Sequence, residues 1–220
     1  SLGGGLIAVS AYPCMNQPLG RKEKALKWHR FGGAVFYGGR MPDILMTAAL
    51  AYREVCKRQY LYTFDNGECI RIVFKPQNFV HLAGLRKLGD VYEFSNNNTT
   101  TNIYNAILRG KITLLDAQQS IHYDTEARER IENLARLDEL LQTDCVVWNF
   151  DREKVKFRTN LKSTVIFFRE EGFNFYLLLG VAPDAKTYYP ETFFLRFDDA
   201  YLRGQTVVQV ISCKRKFYYE

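Results

Sequence analysis

His81 is the residue of this chain best suited to moving a proton, because imidazole titrates near neutrality. It follows the apolar pair Phe79-Val80, with Lys75 a short distance upstream. Leu82, Leu85 and Leu88 share one side of a short predicted helix, His81 to Leu88. That would put His81 at a helix N-terminus, where the dipole disfavours imidazolium and leaves a neutral base. A histidine that simply bonds to backbone at a helix start is the equal structural alternative. His122, beside Ser120 and Tyr123 in a loop, is a second and weaker candidate.

Other chemistry is more dispersed. Lys162 alternates with Ser163 in a strand-like run, so one of the two points toward a partly solvated face; such a lysine is most often merely exposed. Tyr188-Tyr189-Pro190-Glu191-Thr192-Phe193-Phe194 brings aromatic, acidic and hydroxyl groups to one strand start. Single-stranded RNA is commonly held by stacking on aromatics beside cations, and this stretch could do so. In a chain with 14 tyrosines, a core or edge role is the ordinary alternative. Lys214-Arg215-Lys216 reads as a solvated run that could touch phosphate. There is no Gly-x-Ser-x-Gly elbow, no G-x-x-x-x-G-K phosphate loop and no cluster of acids at the spacing a metal-dependent nuclease wants.

The elements that must position these residues fall into two halves. Asp43 to Arg58 reads as a helix, with Leu45, Ala48, Ala49, Tyr52, Val55 and Cys56 on one face. Tyr60 to Phe64 and Cys69 to Phe74 are β-rich, and Asn66-Gly67 between them signals a hairpin; Pro76 stops the second strand. After the short helix at His81, residues 96–101 form a polar loop and Ile103 to Leu108 a further helix. Thr113 and Asp116 match a capping box, and Asp124 to Gln142 is the clearest helix of all. It should bury Ala127, Ile131, Leu134, Leu137 and Leu141. From Cys145 the period becomes that of strands: Cys145 to Phe150, Val155 to Arg158, Leu161 to Arg169, Phe173 to Val181, Thr192 to Phe197 and Thr206 to Ser212. Helices and a small hairpin leading into hairpin-linked strands define an α+β protein with an antiparallel β-sheet.

Composition narrows the function classes. The 220 residues are 47% hydrophobic and 25% charged, ordinary for a globular chain and too ordered in pattern for disorder. No apolar run approaches the ~18 residues a membrane helix needs, so no membrane partner is expected. The net charge of +6 is unevenly spread. Residues 1–40 carry six basic residues against Glu23, while the remainder holds 24 basic and 23 acidic ones. The body is therefore nearly neutral, and a nucleic-acid grip there must be local. Residues 1–40 also contain eight of the fifteen glycines and make no signal peptide. They are expected to be a Gly-rich basic leader, either a real arm or a non-native upstream extension ahead of Met41. Residues 41–220 are expected to be a single α+β domain. Five cysteines without a C-x-x-C pair, and three scattered histidines, make neither a disulfide framework nor a zinc site. Buried free thiols in a cytoplasmic protein are the plain reading.

The stretch Phe79-Val-His81-Leu-Ala-Gly84-Leu85-Arg-Lys87-Leu88 resembles the Phe-x-His-Leu-x-Gly-Leu signature of a phage-associated family in the barnase/EndoU/colicin/RelE-like (BECR) nuclease group. Tyr60-Leu-Tyr62, Ile103-Tyr104-Asn105, Arg109-Gly110-Lys111-Ile112-Thr113, Ser120, Arg130-Ile131, Lys162 and Tyr189-Pro190-x-Thr192-Phe193-Phe194 follow in matching order. The likeness spans about residues 44–212. It implies an RNase-toxin-like α+β fold that cleaves RNA by attack of the ribose 2′-OH, with no metal or cofactor. It implies His81 as base or acid, Lys162 as the phosphate-stabilising cation and Thr192 as a hydroxyl orienting the scissile phosphate. Lys75, Ser120, Arg130 and Tyr189 become substrate-binding candidates, RNA the partner, and a protein inhibitor or antitoxin a second partner. Two departures stand out: position 192 is more often serine in that pattern, and Ser163-Thr164 stand where an acid commonly follows the lysine. The competing reading is a catalytically inactive BECR-like module that binds RNA or protein, and the near-neutral body favours it. A plain interaction scaffold is the third.

Overall fold

The computed structural model describes residues 43–141, 146–157, 159–170 and 174–217. The leader over 1–40 lies outside the described residues, as do residues 142–145, where one predicted helix should end and one strand begin.

Asp43 starts the first helix for a clear reason. Its carboxylate accepts from the Met46 amide at 2.8 Å and so caps α1 (Ile44–Cys56). Its other oxygen accepts from the Leu114 amide at 2.7 Å, tying α1 to the start of α4 (Leu114–Gln118). The apolar face expected for α1 is the one that is buried, apart from Cys56, which is only half-covered. The hairpin of β1 (Arg58–Phe64) and β2 (Cys69–Val73) turns at Gly67, whose φ of +81° suits glycine. Pro76 does more than stop β2: it occupies the first turn of α2 (Pro76–Leu82), where its missing N–H removes no bond. Next come α3 (Thr100–Leu108) and α4, the latter closed by the Thr113–Asp116 capping box.

The long helix expected over Asp124 to Gln142 is broken into parts. A π-helical turn, Tyr123–Ala127, leads into α5 (Arg128–Leu134), and a break at Ala135-Arg136 precedes α6 (Leu137–Leu140). The five residues expected to face inward, Ala127, Ile131, Leu134, Leu137 and Leu141, are nonetheless all buried. The period therefore identified the inward face correctly, while packing against α1 and the sheet set the breaks.

The strands β3 (Val146–Asn149), β4 (Val165–Glu170), β5 (Asn174–Val181), β6 (Thr187–Arg196), β7 (Thr206–Val208) and β8 (Val210–Phe217) join β1 and β2 in one sheet. Its order is β7-β3-β4-β5-β6-β2-β1-β8. The two edge strands are consecutive in the chain and separated only by Gln209, so the sheet must curl until its edges nearly meet. Asp65 ties the corner, donating its amide to the Gln209 carbonyl at 3.0 Å. The sheet is mostly antiparallel, as expected, with one parallel pair: β2 and β6, pairing Arg71 with Thr187 and Ile72 with Tyr188. No hairpin joins those two; the chain passes through the whole helical layer between them, as a parallel pair requires. Within the predicted strand Val155 to Arg158, the described residues 155–157 are also not a strand. A 3-10 turn over Arg152–Lys154 and a bend occupy that region. β4 starts at Val165, and β6 starts at Thr187, earlier than expected.

Both faces of the central strands are covered. Val165, Phe167, Phe175, Leu177 and Leu179 face the helices, while Ile166, Tyr176 and Leu178 pack under Phe150 and Leu202. That alternation explains why β4 and β5 read as continuous apolar runs. The helical layer crosses the sheet where β6 meets α2 and α5, and a cleft opens there.

Candidate active site

The cleft has a volume of about 730 Å³ and takes its walls from α2 and the turn after it, from Arg130 on α5, from residues 159–161, from β6 and from Tyr201. His81, Arg130, Tyr189 and Thr192, four of the residues singled out in the sequence, line it together. Lys75, Ser120 and Lys162 are not among its lining residues.

Gly84 sets the distance between α2 and α5. Its φ is +74°, and a Cβ there would lie 2.1 Å from the Glu126 carbonyl oxygen and 3.1 Å from the Arg130 side chain. Only glycine permits that approach. The Glu126 carbonyl belongs to the π turn, where the Arg128 amide bonds back to the Tyr123 carbonyl. One residue added to a helical turn rotates the following face by ~100°, and the helix that follows carries Arg130 to the cleft.

On β6 a bulge does the corresponding work. Leu179 pairs with Pro190 and Leu178 with Thr192, which leaves Glu191 as the extra residue. Pro190 has no amide proton to give the ladder and so fits the irregularity. Tyr189 is held by Gly180 opposite it, where a Cβ would come within 2.7 Å of the ring. The bulge presents Tyr189, Glu191 and Thr192 to one cleft instead of alternating them across the strand.

His81 lies in the last turn of α2, not at a helix start. The dipole at that end would favour imidazolium. His81 remains exposed, yet partial desolvation of its ring against the cleft wall and, next, the Arg86 guanidinium lower its pKa below the usual imidazole value. Arg86 is fixed for that role, donating to the carbonyls of Ser95 at 2.9 Å and Asn98 at 2.8 Å. The shift runs in the direction expected from the sequence, toward the neutral imidazole, but its cause is not a helix N-terminus.

Arg130 donates to the Thr192 hydroxyl at 3.4 Å and makes no ion pair among the described residues. Burial lowers its pKa, with Glu126 and Tyr201 acting weakly against that trend. A half-buried guanidinium with a single neutral partner is poised for an anion.

Glu191 was named in the sequence only as the acidic member of the Tyr188–Phe194 stretch, without a role of its own. Its carboxylate accepts from the Lys162 amide at 3.1 Å and forms a short hydrogen bond with the Ser163 hydroxyl. An acid therefore does meet Lys162-Ser163, delivered by the neighbouring strand rather than by the following residues. Pro190 inside a strand-like run was the available signal for a bulge. Arg86 and Lys87 in the wall were also not singled out.

The remaining candidates have local structural duties. Lys75 is exposed and caps α2 through its backbone, donating to Asn78 at 3.0 Å, while its carbonyl accepts from the Tyr52 hydroxyl at 3.1 Å. Ser120 is buried and donates to Asp90 at 2.6 Å, stapling the loop before the π turn; this bond holds the Asp90 carboxyl below its usual range. His122 is exposed, its amide donating to the Ser120 hydroxyl at 3.1 Å. Lys162 is exposed, with its amide engaged by Glu191. Among the described residues, no group of three or more His, Cys, Asp or Glu side chains is placed to hold a metal ion. Among them too, no helix is long and apolar enough to cross a membrane.

The class is thus a mixed α+β protein with an imidazole, a guanidinium, a carboxylate and a hydroxyl gathered in one cleft. The chain belongs to the nuclease family described as phage-Barnase-EndoU-ColicinE5/D-RelE like nuclease4, whose model matches residues 44–216. That span includes every residue of the cleft. No curated protein and no solved structure matches the chain.

Proposed function

We propose that the cleft is the active site of an endoribonuclease that works without a metal ion. Neutral His81 takes the proton from a ribose 2′-OH. The 2′ oxygen attacks phosphorus, the bond to the 5′ oxygen breaks, and that oxygen takes a proton from water in the open cleft. The products are a 2′,3′-cyclic phosphate and a 5′-hydroxyl end. Arg130 binds a non-bridging oxygen and stabilises the charge that grows on it, with Thr192 orienting the same phosphate. Tyr189 offers a face on which a base can stack. Glu191 holds the Lys162-Ser163 segment against the bulge and so keeps Thr192 in position.

The observation that carries this reading is Arg130: half-buried, in no ion pair among the described residues although Glu126 acts on it through space, and bonded to Thr192 in the cleft that holds His81. The test is incubation of the protein with end-labelled RNA in EDTA, beside His81→Ala. Cleavage leaving cyclic phosphate ends, reduced at least about 100-fold in the variant, is the expected result. A folded protein that retains RNA but never cuts it would instead be a binding module. Cutting that His81→Ala leaves intact would move the chemistry elsewhere.

A further inference from the structure

The sheet face that points away from the helices is covered unequally. Over β4 and β5 it lies beneath Phe150 and Leu202. Over β1, β2 and β8 it is open. On β1 the buried Tyr60, Tyr62 and Phe64 alternate with Gln59, Leu61 and Thr63, which keep contact with solvent. On β2 the buried Ile70, Ile72 and Phe74 alternate with Arg71, Val73 and Lys75, the backbone still being extended at Lys75 (φ −124°, ψ 150°). On β8 Arg215 reaches Asp138 and the Cys213 thiol the Leu141 carbonyl, both on the helical side, so Lys214 and Lys216 point the other way.

Register joins these positions into one surface. Thr187, Arg71, Leu61 and Lys214 form a row across β6, β2, β1 and β8, and Val73, Gln59 and Lys216 form the next. Tyr189, two residues along β6 from Thr187 and on the same side, lines the cleft, so the open face and the cleft adjoin. None of the positions on this face of β1, β2 and β8 is acidic. Arg71 is already shared with Asp184, at 3.7 Å in the turn before β6. Lys75, Lys214 and Lys216 make no ion pair among the described residues.

We propose that this open face is a track for the single-stranded RNA that flanks the cut, held by phosphate contacts to Lys75, Lys214 and Lys216. The proposal rests on the ribonuclease reading for what the cleft does to that RNA, though the binding can be measured without it. Residues 41–220 are nearly neutral, so a hold on a polyanion there must come from a local excess of charge. Three lysines without carboxylate partners on one acid-free face supply that excess. Lys214 and Lys216 stand ~7 Å apart along β8, and β8 lies three strand spacings, ~14 Å, from β6. A strand leaving the cleft past Tyr189 therefore crosses Leu61 and Val73 before it reaches them. Those half-buried apolar side chains touch ribose or base without reading either, which makes the track indifferent to sequence and sensitive to salt.

The test uses the full chain carrying His81→Ala, so that RNA survives the titration, and a fluorescent unstructured RNA of about 20 nucleotides followed by anisotropy. Lys75→Gln with Lys214→Gln and Lys216→Gln should weaken binding at least about tenfold. It should also reduce the slope of log affinity against log salt by about 2, three contacts at about 0.7 each. Lys75→Arg with Lys214→Arg and Lys216→Arg should bind as the native lysines do. With His81 restored, the glutamine variant should raise KM for the long RNA several times more than KM for a dinucleoside monophosphate, whose single phosphate sits in the cleft. Unchanged affinity and slope, or an arginine variant as weak as the glutamine one, overturn the track. So does a native chain that holds polyglutamate but not the RNA, which would give the face to an acidic protein. Lysine-dependent RNA binding without cleavage keeps the track and removes the ribonuclease; cleavage of long RNA that the glutamine variant leaves intact does the reverse.

Discussion

Two arginine sites in this molecule use the same side chain for opposite ends. At the β1–β8 edge, Arg58 and Arg215 each reach an Asp138 oxygen at 3.3 Å, and the Tyr60 hydroxyl donates to the same carboxylate at 2.7 Å. Burial and the bond to Asp138 raise the Tyr60 pKa, so it stays a donor throughout the working pH range. Every charge there has its partner within the protein. In the cleft, Arg130 has a neutral hydroxyl in contact, no ion pair among the described residues, only the more distant field of Glu126, and open space. A satisfied cluster stabilises the fold, whereas a desolvated cation left with a vacant side opposes it and invites an anion. Partner inventory, more than residue type, separates the architectural arginines from the one suited to a phosphate.

The strongest way to break that comparison is Arg130→Ala. Cleavage in the RNA assay should fall by about 100- to 1,000-fold, while the melting temperature holds or rises because a desolvated cation is gone. A clear loss of stability with unchanged cleavage would put Arg130 in the architectural class.

Gly84→Ala comes next. The new methyl would meet the Glu126 carbonyl at 2.1 Å in a left-handed backbone, so α2 and α5 must part. Unfolding in urea should show a loss of at least about 2 kcal/mol, with activity falling because Arg130 shifts.

Asp138→Ala tests the other half of the comparison. It strands the Tyr60 hydroxyl and two guanidinium groups, and should lower stability by about 1–2 kcal/mol. Cleavage per folded molecule should be unchanged.

The smallest effect is the pH dependence of His81. Its folded pKa is lower than the unfolded value of 6.5, so the folded state binds the proton less readily. Stability contributed by this group is full above 6.5 and is lost as pH falls through that value toward the folded pKa. If His81 is the base, kcat/KM should rise with pH and level off with a midpoint below 6.5. A midpoint above 6.5 would contradict both the environment and the role.

Much of the fold was legible because local periodicity is a local property. The inward face of α1, the Asn66-Gly67 hairpin, the Thr113–Asp116 cap and the alternating core of β4 and β5 are each dictated by residues within a few positions of one another. The π turn at Tyr123–Ala127 and the break before α6 were not, since the apolar spacing from Ala127 to Leu141 is compatible with an unbroken helix. The parallel pairing of β2 with β6 was hidden for the same reason: strand direction across a helical layer leaves no mark in either strand.

The candidate site divides along the same line. The sequence by itself determined which groups can exchange protons or hold an anion, and it put His81, Arg130, Tyr189 and Thr192 among them. It also supplied the glycine at 84 and the proline at 190 that the geometry needs. Only the tertiary structure decided that those four share one cleft while Lys75, Ser120 and Lys162 do not line it. It alone brought Glu191 to Ser163 from another strand and lowered the His81 pKa through desolvation and Arg86 rather than through a helix start. The physical reason is distance along the chain. Proton affinity, desolvation and the spare valence of a guanidinium depend on neighbours tens of residues away, and only the packed chain chooses those neighbours.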